Sequence, residues 1–262
     1  AVLTFDPSAA DDLAQWYALM VNQSYRWANE GWGGHIMGPS LIHVNPLLRL
    51  AQAEHSMSPA TEFVRARGGS VTIEELPSWL AFFTKYVLSA ERDVGYQVAM
   101  GTRLLPSGLF STESGRAQLS LLINSTLPYA SPYVIAGTPW LFHETPGATS
   151  VTPAWRDAIW HMGLSSRFPY NSTLSERTAT YQTMEEHIQQ FRDLAPESGA
   201  YFNEGDIYEP DHQQSFWGNN YAKLLEVKHK ILVSDPDGIL DCWQCVGWKG
   251  PSDPLYQCYI KL

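Results

Sequence analysis

The chain contains 262 residues, 44% of them hydrophobic and ten of them Trp, and carries a formal net charge of −10. A chain of this size and composition buries a substantial core, which excludes a disordered protein. The negative charge argues against a nucleic-acid partner, because binding to phosphates depends on Lys and Arg, and no apolar run approaches the ~20 residues that cross a membrane.

Helices and strands alternate along the chain. Trp16, Tyr17 and Met20 recur at helical spacing behind Ser8, a candidate capping residue, and the glycines from Gly31 onward end this first helix. Periodicity and capping signals predict further helices starting at residue 58 and over residues 78–87, 113–122, 178–194 and 215–232. Alternating apolar residues predict strands before residue 44 and over residues 71–75, 96–103, 133–136 and 154–164.

The glycine-rich stretch 31–38 superficially suggests a phosphate-binding loop. Its third glycine lies in the wrong register for a dinucleotide-binding loop and no P-loop lysine follows, so we expect a flexible turn. The sequence also has no nucleophile-elbow motif, and the Thr-Pro after His143-Glu144 breaks any helix that could present a zinc-protease motif.

Three glycosylation sequons, which begin at Asn22, Asn124 and Asn171, predict a secreted, extracellular protein. The three cysteines, Cys242, Cys245 and Cys258, fit an oxidising compartment, where one pair forms a disulfide and the remaining thiol is free or bonded to another chain. Zinc binding is the weaker interpretation, because it needs a fourth ligand and usually a second close pair.

The most specific pattern lies between residues 201 and 238. It begins with Tyr201-Phe-Asn-Glu-Gly-Asp206, continues through Ser215-Phe-Trp-Gly-Asn-Asn-Tyr221, and ends with Leu224-Leu225, Lys228 and Asp235-Pro236. The pattern resembles the C-terminal signature of the berberine-bridge-enzyme-like flavin oxidases of the vanillyl-alcohol-oxidase superfamily. The fungal secreted members called isoamyl alcohol oxidases are especially similar.

The resemblance implies an α+β fold in which an antiparallel β-sheet substrate domain is flanked by helices. Residues 1–195 would form this substrate domain, and residues 196–262 would be a C-terminal strand-helix segment that returns to a separate FAD-binding domain. The family's FAD-binding segments have no counterpart in this chain. We therefore expect an N-terminal FAD-binding half as a partner, as a separate cleaved chain rather than simply absent, with one cysteine as a candidate bridge to it.

The resemblance also assigns roles to individual residues. Tyr201 and Asn203 fall on the family's flavin-contacting positions, and Glu204 replaces the tyrosine that commonly acts as catalytic base. A carboxylate with a raised pKa can take the proton that an alcohol or phenol loses. Strand alternation, however, would turn Glu204 away from Tyr201 and Asn203, and the alternative is a surface ion pair for Glu204.

A second candidate proton acceptor lies on the predicted strand 154–164. Alternation places Trp155, Asp157, Ile159 and His161 on one face of this strand. In the family one such strand lines the substrate cavity, so His161 is a candidate catalytic residue. A single His on a strand is also often a hydrogen-bonded core residue.

Three functions follow from the resemblance. The first is an FAD-dependent oxidase that takes hydride from a small alcohol-, sugar- or phenol-type substrate and passes the electrons to O2, releasing H2O2. The second is a biosynthetic flavoprotein that performs oxidative cyclisation. The third is a non-catalytic binding protein that has kept the fold.

Overall fold

A computed structural model describes residues 1–88, 95, 97–143, 145–231, 235 and 237–262. Its centre is a seven-stranded sheet in the order β4-β1-β3-β2-β6-β7-β5, and every neighbouring pair is antiparallel. The strands are β1 (Val2–Thr4), β2 (Gly33–Met37), β3 (Ser40–Val44), β4 (Ser70–Thr72), β5 (Gln97–Pro106), β6 (Tyr133–Ala136) and β7 (Ala158–Phe168). The predicted α+β class with an antiparallel sheet flanked by helices is confirmed.

Six helices lie between strands along the described chain, and three more follow the last strand. They are α1 (Asp12–Asn29), α2 (Leu50–Ser56), α3 (Ser58–Arg65), α4 (Trp79–Phe82), α5 (Gly108–Ser111), α6 (Glu113–Thr126), α7 (Leu174–Leu194), α8 (His212–Trp217) and α9 (Tyr221–Ile231). A π-helical turn, Phe83–Val87, continues α4, and short 3₁₀ turns occur at Pro153–Arg156, Phe202–Glu204, Gly218–Asn220 and Pro254–Tyr256.

One face of the sheet carries α1 and α7 and holds the main core. Gly101 of β5 has no side chain where α7 crosses it, since a Cβ there would lie 3.0 Å from the Ile188 side chain. Trp160 of β7 is fully buried, and its indole nitrogen donates a hydrogen bond of 2.8 Å to the Ser24 hydroxyl of α1. Burying these large apolar surfaces is the dominant favourable contribution to folding of the sheet with its helices.

The local structure differs from the sequence prediction at several positions, including the predicted helix 215–232, which is divided at the 3₁₀ turn Gly218–Asn220. The Ser8 side chain is predicted to cap α1, but the Asp12 carboxylate instead accepts hydrogen bonds from the backbone N–H groups of Ser8 and Ala9. The stretch predicted as a flexible glycine turn contains strand β2, with the reversal at Gly38, whose φ of +52° favours glycine. Strand β7 begins at Ala158 rather than at residue 154, because residues 153–156 form a 3₁₀ turn that starts with Pro153.

Six residues of the predicted elements and motifs lie outside the described residues: Tyr96, Glu144, Leu232, Val233, Ser234 and Pro236. Within the described part of the chain, no helix combines the length and apolar character needed to cross a membrane. The Asn side chains of all three sequons, Asn22, Asn124 and Asn171, are exposed. Cys242 and Cys245 form a disulfide and Cys258 is an exposed free thiol.

The opposite face of the sheet, here called the open face, positions the candidate site. Directly paired residues of antiparallel strands share a face, so the pairs His161–Leu104, His161–Ile135 and Ile135–His35 place these four side chains in one row. The next row joins Met37, Tyr133, Gly163 and Thr102 by the same pairing. Met37 and Tyr133 remain about two-fifths exposed, at 40% and 38%.

The chain reaches the open face by passing over β5, which ends the sheet order. The Gly199 carbonyl accepts a 2.8 Å hydrogen bond from the Leu104 backbone N–H, and Ala200 N donates to the Ser215 carbonyl. A Cβ at Gly199 would lie 2.5 Å from the Ser215 carbonyl oxygen, so this close crossing requires glycine. The residues that follow Ala200 are thereby placed over the end of β5 and β7.

Candidate functional site

The four residues predicted to form the site come together on the open face. The Tyr201 ring packs edge-on against the His161 ring with centroids 5.7 Å apart. Glu204 Oε2 lies 3.9 Å from His161 Nε2, and Asn203 Nδ2 donates a 3.1 Å hydrogen bond to the Tyr201 hydroxyl. Residues from β7 and from the crossing segment therefore form one cluster, although some forty positions separate them in the sequence.

The predicted strand at residues 201–206 is wrong: Phe202–Glu204 forms a 3₁₀ turn. In a 3₁₀ turn, side chains three positions apart lie on the same side. Tyr201 and Glu204 therefore both face His161, whereas strand alternation would separate them. The local turn removes the conflict that the strand interpretation created for Glu204.

His161 lies beneath the cluster and is closed to solvent. It is 1% exposed, and neither ring nitrogen has a hydrogen-bond partner among the described residues. The Trp155 ring, held in the 3₁₀ turn before β7, packs against it at 5.3 Å. Burial lowers the pKa of His161 to about 4, so the imidazole is neutral near pH 7 and is shielded from direct contact with a substrate.

Glu204 is the more accessible of the two candidate proton acceptors. Its side chain is 39% exposed and faces the space over the open face. Partial burial raises the pKa of its carboxyl above the ordinary value, because desolvation disfavours the charged form. Among the described residues Glu204 forms no ion pair with a Lys or Arg, which was the alternative role for this residue; its carboxylate lies instead near the buried His161, whose ring is neutral near pH 7.

A second polar pair on the open face has no counterpart in the sequence prediction. The Tyr133 hydroxyl and His35 Nδ1 are 2.7 Å apart, and the two residues are 98 positions apart in the chain. Tyr133 reads as an ordinary strand residue in the sequence, and His35 lies in a glycine-rich stretch. Only the non-local pairing of β2 with β6 brings the two side chains together.

Behind the crossing segment, a buried charge network fixes its position. The Arg192 guanidinium donates to Glu209, Asp206 and Glu185 at 3.0, 2.8 and 2.8 Å. Arg103 donates to the Ala195 carbonyl at 2.7 Å. These bonds tie β5 and α7 to the residues on both sides of the 3₁₀ turn that carries Glu204.

Comparison with known proteins finds a family profile that matches part of the chain and longer relatives that match nearly all of it. Residues 200–244 match the sequence profile of the family described as Berberine and berberine like. The FAD-linked oxidoreductase OXR2 of Pyricularia oryzae is 35% identical over 253 residues, which cover 95% of this chain and 43% of that protein. The FAD-linked oxidoreductase cheF of Chaetomium globosum is 33% identical over 263 residues, which cover 98% of this chain and 42% of that protein. Residues 200–244 are therefore a berberine-like segment, and the chain as a whole is similar to part of the FAD-linked oxidoreductases.

Solved structures show the same fold. The VAO-type flavoprotein MtVAO713 from Myceliophthora thermophila C1 superposes with a TM-score of 0.73 at 23% identity, covering 94% of this chain and 47% of that one. A glucooligosaccharide oxidase from Acremonium strictum gives 0.61 at 16% identity, covering 89% and 52%. The chain spans less than half the length of the two curated relatives, which is consistent with a C-terminal half of a berberine-like protein.

The relatives' names and the VAO-type fold support FAD as the cofactor. The residues on the open face fit contact with a flavin. Tyr201 presents a ring that is 36% exposed, and Asn203 is exposed beside it. An aromatic edge and an amide suit the mixed apolar and hydrogen-bonding surface of a flavin ring.

Proposed function

We propose that this chain is the substrate-binding part of an FAD-dependent oxidase, which takes hydride from an alcohol-, sugar- or phenol-type substrate. The observation that carries the proposal is the position of Glu204, a half-exposed carboxylate beside Tyr201 and Asn203 and 3.9 Å from His161. The berberine-like family match over residues 200–244 supports it, as do relatives named FAD-linked oxidoreductases.

In this proposal Glu204 is the catalytic base. A substrate hydroxyl over the open face donates its hydrogen bond to the Glu204 carboxylate and loses its proton there as the C–H bond breaks. The raised pKa of this carboxyl makes it a better proton acceptor than an ordinary surface Glu. FAD, when bound, accepts the hydride.

His161 has a positioning role rather than direct contact with the substrate. Its neutral ring is enclosed by Trp155 and Tyr201, and it gives Glu204 a buried polar neighbour 3.9 Å away. Tyr201 and Asn203, joined by their hydrogen bond, would contact the flavin. The remaining, FAD-binding part of the protein is the partner that this arrangement requires.

We further propose that the electrons pass to O2 with release of H2O2, and that the protein is secreted. The exposed Asn residues of the three sequons support secretion. A biosynthetic flavoprotein is the second candidate, because a relative that is 27% identical over 150 residues is named flavin-dependent oxygenase ucdF, from Aspergillus ustus. A binding protein without activity is the third.

The test uses the full-length, FAD-loaded protein and its Glu204→Gln variant. We expect Glu204→Gln to lower the rate of flavin reduction by about 10²–10⁴-fold, the usual contribution of a general base, while the flavin absorbance stays unchanged. Glu186→Gln, at an exposed carboxyl of α7, is the matched control and should leave the rate unchanged.

The outcomes separate the three functions. An unchanged rate in Glu204→Gln shows that the base is another residue. Flavin reduction by a substrate without H2O2 release favours the biosynthetic alternative. Absence of flavin absorbance from the intact full-length protein excludes both enzymatic proposals and leaves a binding protein.

A further inference from the structure

The Tyr133–His35 pair lies on the same face as Glu204 but takes no part in the proton transfer. The two side chains are linked by a 2.7 Å hydrogen bond and their rings lie 5.5 Å apart between centroids. They come from the neighbouring strands β6 and β2. Both strands are held within the sheet, so the pair is a rigid feature of the open face.

A gap separates this pair from Glu204 and His161. Tyr133 lies directly across from Gly163, which offers no side chain, while His161 lies two residues further along β7 on the same face. Two residues of a strand span about 7 Å. Glu204 lies above His161, and its carboxylate is near enough to Tyr133 to contribute to the raised pKa of that phenol.

The protonation states of the pair leave one hydrogen-bonding site open. Burial and the nearby Glu204 carboxylate raise the pKa of the Tyr133 phenol, which therefore keeps its proton. Burial lowers the pKa of His35, whose ring is therefore neutral near pH 7. With the phenol O–H donating to His35 Nδ1, the Tyr133 oxygen still has a lone pair that can accept a hydrogen bond from a ligand.

We propose that Tyr133 is a specificity-determining residue that accepts a hydrogen bond from a second hydroxyl of the substrate, and that His35 is the residue that orients it. This inference rests on the proposed function, since it takes Glu204 as the group that binds the reacting hydroxyl. The substrate class is therefore a diol or polyol, with one hydroxyl at Glu204 and a second at Tyr133.

A matched pair of probes tests the proposal on the full-length, FAD-loaded protein. trans-4-(Hydroxymethyl)cyclohexanol carries both hydroxyls, and cyclohexylmethanol lacks the second. Dissociation constants are measured by anaerobic titration calorimetry, and flavin reduction is measured by rapid mixing. We expect the wild type to bind the diol about tenfold more tightly, the upper range for one added hydrogen bond.

Three variants locate the effect. Tyr133→Phe should bind the diol and cyclohexylmethanol with about equal dissociation constants, or use them with about equal KM. Its affinity for cyclohexylmethanol should stay within about twofold of the wild type. His35→Leu should retain part of the preference, because Tyr133 remains but is no longer oriented. Met37→Leu, at the residue paired directly with Tyr133 on the same face, is the control and should keep the full preference.

The results that overturn the proposal are distinct from those that overturn the oxidase. Equal binding of the two probes by the wild type, or no binding of either, excludes recognition of a second hydroxyl. A preference that persists in Tyr133→Phe, or an equal loss for both probes, excludes the assigned role of Tyr133. Selective binding of the diol with no flavin reduction supports the Tyr133 proposal and contradicts the proposed oxidation.

Discussion

Arg192 is the residue whose replacement most directly tests how the site is held. It is 6% exposed and its guanidinium faces three acidic side chains, of which Glu209 and Asp206 are 2% and 4% exposed. In Arg192→Met, the aliphatic stem is retained but these buried carboxylates lose their main cation. Breaking a buried ion pair on one side typically costs about 3–5 kcal/mol, because an uncompensated charge stays buried.

We expect this loss in the free energy of unfolding of the full-length protein, measured by urea denaturation at pH 7. The crossing segment should also be cleaved faster by a protease between residues 199 and 211, with the cleavage sites mapped by mass spectrometry. Arg65→Met is the control, since Arg65 is exposed at the end of α3, and it should change stability by no more than about 0.5 kcal/mol.

A second variant separates charge from packing. Arg192→Met combined with Asp206→Asn leaves one buried charge fewer, and should be more stable than Arg192→Met alone by about 1–2 kcal/mol. A loss below about 1 kcal/mol in the single variant would refute the reasoning. An additive further loss in the double variant would show that Arg192 acts through packing rather than through its charge.

Three further predictions concern titration and backbone fit. Burial and a hydrogen bond to a neighbouring carboxyl raise the pKa of Glu185 to about 8. The contribution of Glu185 to stability is therefore present below about pH 4.5 and is lost as pH rises through about 8. Glu185→Gln should flatten the decline in Tm between pH 5 and 9, and a decline as steep in the variant as in the wild type would contradict this. The rate of flavin reduction should rise with pH through a Glu204 pKa above 4.5, and Glu204→Gln should remove that limb from the residual rate. In Gly199→Ala the added Cβ would lie 2.5 Å from the Ser215 carbonyl oxygen, so we expect the free energy of unfolding, measured by urea denaturation, to fall by about 1–3 kcal/mol. Gly108→Ala is the control, because open space surrounds Gly108, and it should leave the free energy of unfolding unchanged.

Local chemistry predicted much of the secondary structure. Trp16, Tyr17 and Met20 specified α1 through their spacing, and Pro59 marked the start of α3. The prediction was wrong where two local signals compete. At residues 153–156, an alternating pattern suggested a strand, but Pro153 and the tight turn it favours start a 3₁₀ helix instead.

The sequence by itself determined the family resemblance and the residue types of the candidate site: the Tyr201–Glu204 motif and His161 are both visible in it. Only the tertiary structure decided that Glu204 is accessible while His161 is enclosed, and that Tyr133 and His35 form a pair. The reason is physical. A motif records neighbours along the chain, whereas exposure, pKa and the contacts between β2 and β6 depend on which distant strands pair and on which face each side chain then lies.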